Sequence, residues 1–314
     1  RRASWAALAL AAALVCSVCA ADTEVTSYFQ ARVTADDGPA VHLGLRRLKL
    51  TVEGGIGRDA SYLVQGLYKT GNNSATDGRV YLQEALVRLR AGDGTITVGQ
   101  FKPPFGMERF TPDWDLASID RSVATDSLVP NGKLDQGQGF TRDRGVQWDT
   151  RSHHDRLFTA VGLFEGHGAN TPVRPPAPLV AGRVVWTAHR GQRSTLKLGG
   201  ALSWRRADGL DFAKELPGTT PWGTSQFVGA DLRWGLEAAW DYRRLRLRSE
   251  WIQARLSPAG QQPLGLSAGG GYVQAAYELS RRLEVAAKLE RFDPDRSVAN
   301  QWDLRQTTWA ATYL

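Results

Sequence analysis

Past residue 23 the chain alternates apolar and polar residues in stretches of about ten, the period-two pattern of strands with one apolar face. In Ser194–Arg205 one face carries Leu196, Leu198, Gly200, Leu202 and Trp204, and the other Thr195, Lys197, Gly199, Ala201, Ser203 and Arg205. In Arg244–Ile252, Leu245, Leu247, Ser249 and Trp251 oppose Arg244, Arg246, Arg248 and Glu250. In Arg282–Arg291, Leu283, Val285, Ala287 and Leu289 oppose Glu284, Lys288 and Glu290. The same reading along the chain predicts fourteen strands: Glu24–Val33, His42–Glu53, Ala60–Lys69, Val80–Ala91, Thr95–Phe101, Asp143–Arg151, Arg156–Phe164, Arg183–His189, Ser194–Arg205, Asp231–Asp241, Arg244–Ile252, Tyr272–Leu279, Arg282–Arg291 and Arg305–Leu314. The best helix signal is Thr111-Pro112 followed by DWDLASID. There Thr111 is the N-cap, Pro112 takes the first helical position, and Asp113 and Asp115 suit the positive helix start.

The connections alternate in length. Ala91–Gly94, Asp241–Arg244 and Ser280–Arg282 are tight turns, whereas Pro104 to Arg142, Gly166 to Ala181, Ala207 to Gly229, Ser257 to Gly271 and Phe292 to Leu304 are long. Short turns on one side and long loops on the other are the pattern of an outer-membrane barrel, with apolar residues toward lipid and polar residues toward water. A soluble sandwich also alternates its faces, but it has no need of the loop asymmetry. The longest loop begins abruptly. TVGQFKPPFGMERF starts as a strand, and Pro103 and Pro104 end it because proline donates nothing to a ladder.

The chain's first twenty residues read as a secretory signal: Arg1 and Arg2, an apolar Trp5–Val15, then Val18 and Ala20 before a cleavage site. Residues 21–314 then form one β-domain. Both cysteines, Cys16 and Cys19, lie in the signal, which excludes a disulfide framework and a thiolate metal site. Losing Arg1 and Arg2 lowers the formal charge from +7 to +5, a balance that attracts anions only where it is focused.

RRLKLTVEG (46–54), VYLQEALVRLR (80–90), TVGQFKPPFGMER (97–109), IDRS (119–122) and RDRGVQW (142–148) resemble, in order, the phosphate-selective porin O and P family. The resemblance covers the first half of the mature chain in motifs and the second half in strand rhythm. It implies a sixteen-stranded barrel of the bacterial outer membrane, usually a homotrimer, whose long third loop folds into the lumen, where arginines and lysines guide anions. Fourteen strands fall short of sixteen, so the expectation is a C-terminally truncated chain with a strand missed, or a shorter variant.

The strongest constellation is Arg244, Arg246 and Arg248, which period-two spacing sets about 7 Å apart on one face. An arginine facing lipid at the midplane costs about 2–4 kcal/mol, so these face water and form either a ladder of weak anion sites or a solvated wall balanced by Glu250 and Glu237. Arg47 with Lys49, Arg88 with Arg90, and Lys197 share the inward parity, and Lys102, Arg109 and Arg121 come from the long loop, with Lys133, Arg142 and Arg144 further along it. Asp113, Asp115, Asp120, Asp126 and Asp135 nearly cancel the loop's bases. The reading is a passive channel for small anions, phosphate or a related oxyanion, seated in outer-membrane lipid, with no cofactor, metal or nucleic acid. Its alternatives are a general or differently selective porin, an outer-membrane barrel enzyme, or a secreted soluble β-domain. The five histidines, His153-His154 among them, fix no catalytic geometry, and Gly269–Gly271 is no phosphate cradle because no helix follows it.

Overall fold

The computed structural model describes residues 23–35, 41–70, 77–118, 120–136, 141–171, 177–210, 227–260, 265–297 and 303–313. The signal reading of residues 1–20 lies outside them. All fourteen predicted strands are present: β1 (Thr23–Ala35), β2 (Val41–Ile56), β3 (Ala60–Thr70), β4 (Arg79–Ala91), β5 (Gly94–Phe101), β6 (Asp143–Ser152), β7 (Leu157–Phe164), β8 (Leu179–Arg190), β9 (Ser194–Leu210), β10 (Phe227–Tyr242), β11 (Leu245–Pro258), β12 (Leu266–Ser280), β13 (Leu283–Asp293) and β14 (Leu304–Tyr313). Among the described residues there is no fifteenth. Most run longer than their sequence patterns. β9 has 17 residues and β10 has 16, beyond the ~9–11 that cross a bilayer.

Two units divide the chain at Phe101 and Lys102. In the first, β1 to β5 form an antiparallel meander, each strand pairing with the next. A bulge at Arg46 resets the register of β2, so that Arg47 and Lys49 stand opposite to the exposed Leu48 and Leu50. In the second unit β6 to β14 form another antiparallel meander, and the alternation is clean. On β10, Leu232, Trp234 and Leu236 are exposed while Asp231, Arg233 and Glu237 are buried. On β13, Leu289 is 61% exposed and its neighbours Lys288 and Glu290 are buried. Large apolar side chains left bare on one face of a long meander are what lipid covers. The opposite face is the inner one.

The described residues between 102 and 142 fold back onto this inner face. They contain three short helices, α1 (Met107–Phe110), α2 (Val123–Leu128) and α3 (Lys133–Gln136). The helix expected from Thr111 onward does not form; none of the described residues in 111–118 and 120 is helical. Arg121 is the reason. Its guanidinium binds Asp113 (2.7 Å) and the carbonyls of Thr111 (2.7 Å) and Glu108 (3.1 Å), so the segment wraps around it and Asp113 no longer serves a helix start. α2 begins instead at Ser122, whose hydroxyl accepts the Thr125 N–H at 3.1 Å, an ordinary N-cap.

Polar-in does not hold over the whole inner face. Ile252, Ala254, Leu256, Leu266, Ala268 and Phe292 form an apolar inner patch, buried with Phe105, Ala124, Leu128, Val129 and Leu134 of the loop. Burial of this patch by the loop is a hydrophobic reason for the loop to turn inward. Leu128→Ala is expected to cost about 2–5 kcal/mol, read as a lower urea midpoint for the folded band on unheated gels. An unchanged midpoint would mean that α2 is not packed on the strands.

Candidate loop-and-wall site

The loop is held by charge as well as by apolar contact. Glu250 of β11 accepts the backbone N–H groups of Met107 and Glu108, one on each oxygen, both at 3.0 Å. Glu290 of β13 accepts the Val123 N–H (2.9 Å), and Lys288 donates to the Asp120 carbonyl (2.9 Å). Within the loop Glu108 accepts the Ser122 N–H (2.8 Å). Burial pushes the Glu108 carboxyl above its usual range, opposed by Lys288 and by the Ser122 N–H. The Glu250 contact explains Gly106. Its φ is 80°, and a Cβ there would stand 2.6 Å from the Glu250 carboxylate. Leaving the strand after Pro103-Pro104 therefore needs glycine both for the turn and for the close approach to Glu250.

Beyond α2 lies a buried ionic cluster that the sequence did not announce. All five N–H donors of Arg233 are engaged: with Asp231 (2.7 and 2.8 Å), with Asp135, and with the carbonyls of Leu128 and Val129 (both 3.0 Å). Arg205 binds Asp231 (2.9 Å), Asp135 (2.6 Å), the Asn131 side-chain oxygen (2.8 Å) and the Gly166 carbonyl (2.9 Å). Both arginines are fully buried. Two cations and two carboxylates cancel, which a buried cluster requires. Asn131, held at a positive φ of 59°, closes the set by donating to Asp143 (3.0 Å). The only hint in the sequence is Asp231 and Arg233 at i and i+2 on one strand face; Asp135 is 98 residues away from Arg233.

The residues singled out from sequence fall into several places. Arg244 lies in the β10–β11 turn and is exposed, outside the strand that was to carry it. The turn forms there because Arg243 adopts a positive φ of 54°, so the ladder shortens to Arg246 and Arg248. Arg246 grips Glu284 bidentately (2.6 to 3.0 Å) and also meets Asp115 of the loop (3.1 Å). Arg248 pairs with Asp241 (2.7 Å). Both arginines line a cavity of about 130 Å³ between loop and wall, together with Glu108, Asp115, Tyr272 and Gln274.

Arg109 is buried and pairs with Asp126 (3.2 Å). Burial, with Arg142 and Arg121 close by, lowers its pKa to about 9, which leaves it protonated at neutral pH. Lys102 and Arg183 both approach the Phe110 ring, at 5.6 and 5.2 Å from its centroid, and Arg183 is also bidentate to Glu237. Lys197 is exposed on the inner parity of β9, toward its turn end. In the other unit Arg47, Lys49, Arg88 and Arg90 share the face opposite to Leu48, Leu50 and Leu89, as their parity requires. His153 and His154 sit in the β6–β7 turn with φ of 52° and 56°. Among the described residues no group of three histidine, cysteine or acidic side chains is arranged to hold a metal.

The sequence from residue 24 to 287 matches the family described as phosphate-selective porin O and P. No curated protein matches the chain. Among solved structures it is similar to the anion-selective porin from Comamonas acidovorans, at 12% identity and TM-score 0.60, covering 92% of this chain and 84% of that one. It is similar to Salmonella typhi OmpF in complex with daunomycin, at 12% identity and TM-score 0.59, covering 94% and 86%. It is also similar to the outer-membrane protein OmpT of Vibrio cholerae in its trimer form, at 14% identity and TM-score 0.55, covering 93% and 84%. At such identities these likenesses speak for the fold.

Proposed function

We propose, from the premise that this chain belongs to the phosphate-selective porin O and P family, that Arg246 and Arg248 set the charge preference of its pore and that phosphate or a related oxyanion is the solute it favours. As a member of that family the protein is a β-barrel channel for anions in the bacterial outer membrane. It is a channel rather than an enzyme. The observation that carries the finer reading is the cavity beneath the loop. Two guanidiniums face it, and a guanidinium fork matches an oxyanion better than it matches chloride. Each guanidinium is also held by a carboxylate, so an entering anion competes for it and leaves again, as conduction needs. Arg109, Arg121 and Lys102 of the loop, and Lys197 with the exposed Arg244 at the turn end, belong to the same reading, and the first unit by itself offers Arg47, Lys49, Arg88 and Arg90 on one face.

A second reading has its own support. The inner face of the second unit carries Glu237, Glu250, Glu284 and Glu290 among its cations, which favours a mild anion preference over strict phosphate selection. Assembly as a homotrimer is part of the proposal, supported by the likeness to the trimer form of Vibrio cholerae OmpT. Purified protein in planar bilayers under a potassium chloride gradient is expected to give a reversal potential of anion-selective sign, with phosphate reducing chloride current. A cation-selective sign would overturn the anion preference, and absence of block would remove phosphate from it.

A further inference from the structure

On the exposed face of β11 to β14 one cross-strand row reads Trp251, Gly271, Arg291 and Arg305. Two arginines directly opposite each other on a face that meets lipid are unfavourable twice over. Like charges in a cross-strand pair repel, and a guanidinium facing hydrocarbon is costly. Depth resolves the second cost. Arg291 stands two residues from the end of β13 and Arg305 one from the start of β14, both at the long-loop end where headgroups begin. The first remains. Asp303 takes Arg291 through a single contact of 3.1 Å, and Asp293 lies one step nearer the loop. Arg305 is exposed, and its guanidinium has no hydrogen bond or ion pair among the described residues.

The row also frames a groove of about 450 Å³. Gly271 is its floor, since a Cβ there would come within 3.0 Å of the Trp251 ring. Leading away from the arginines, toward the bilayer interior, the groove is lined by Val273 and Leu289, which are 58% and 61% exposed, with Thr307 beside them. Guanidiniums at the headgroup level and an apolar trough below them match one chemistry, a phosphate joined to an acyl chain. Free phosphate would leave the trough bare, and an uncharged lipid would leave the arginines opposed. We infer that Arg291, Arg305 and the Trp251–Leu289 groove form an outward-facing binding site for a phosphorylated membrane lipid, with both guanidiniums on the phosphate and an acyl chain along Val273 and Leu289.

The test is native mass spectrometry of the full chain in detergent, titrated with dimyristoyl phosphatidic acid and, in parallel, with dimyristoylglycerol, which lacks the phosphate. The protein is expected to retain the phosphorylated lipid and not the neutral one. Arg305→Gln, which breaks no side-chain bond among the described residues, should weaken retention about tenfold, and Arg291→Ala with Arg305→Ala should abolish it. Folding is checked by heat-modifiable migration, and bilayer conductance should be unchanged because neither residue faces the pore, so a failure here is separable from a failure of the channel reading. Equal retention of the neutral lipid, or undiminished retention by the folded double variant, would overturn the site. Complete displacement by inorganic phosphate would overturn the lipid assignment.

Discussion

Arg233→Ala should free the third loop from the wall and enlarge the single-channel conductance of the protein in planar bilayers. The guanidinium is fully buried and binds four loop or wall groups at once, so its removal leaves the Leu128 and Val129 carbonyls without this donor and Asp135 and Asp231 sharing Arg205 alone. Breaking one partner out of a buried ionic cluster costs about 3–5 kcal/mol, as much as the ~2–5 kcal/mol expected for Leu128→Ala. The loop therefore swings rather than strains, and current rises with weaker discrimination between ions. A companion variant separates release from misfolding. Arg233→Met together with Asp135→Leu removes a cation and an anion and leaves Arg205 with Asp231, so it should recover much of the native conductance. Native conductance in a correctly folded Arg233→Ala would show that the apolar patch alone holds the loop, and the cluster would lose its role in setting the pore.

That latch marks where the sequence stopped being legible. The fourteen strands and their two faces were readable because period-two alternation is local, and β13 sets Leu283, Val285, Ala287 and Leu289 against Glu284, Lys288 and Glu290. The start of the third loop was readable because Pro103 and Pro104 forbid a ladder, whatever lies around them. The failures share one cause, a partner distant in sequence. The helix expected at Thr111–Asp120 had good local signals, but Arg121 competes for its carbonyls and for Asp113. Ile252, Ala254 and Leu256 depart from polar-in patterning, and the loop that covers them is more than a hundred residues earlier, beyond the reach of any local pattern. Arg205 stands on the polar face of its strand, as parity requires, but its charge is spent on Asp135 and Asp231, partners that parity does not reveal. Of the three arginines near the β10–β11 turn, parity placed Arg246 and Arg248 correctly, and only the one-residue position of the turn was left undetermined for Arg244.

The pairing of these wall arginines leads to the other large expected effect. Arg246→Gln with Arg248→Gln should reverse the sign of the reversal potential, making the channel cation-selective. The reason is that neither arginine stands alone. Arg246 neutralises Glu284 and shares Asp115, and Arg248 neutralises Asp241. Removing two cations therefore lowers the local charge by two and leaves Glu284, Asp241 and Asp115 without these partners, Asp115 on the lining of the cavity of about 130 Å³. In a narrow, low-dielectric passage such focused charge changes local ion concentrations by about tenfold or more. Phosphate block of chloride current should fall in the same variant, since both guanidinium forks are gone. Glutamine is shorter but stays polar and uncharged, so folding should survive, and unheated migration on gels provides the check. Lys197→Gln is the comparison: it is exposed, has no carboxylate partner among the described residues, and should lower anion preference only slightly. If the folded double variant keeps its anion-selective sign and its phosphate block, Arg246 and Arg248 are braces of the wall, and the ion path runs along the loop cations instead.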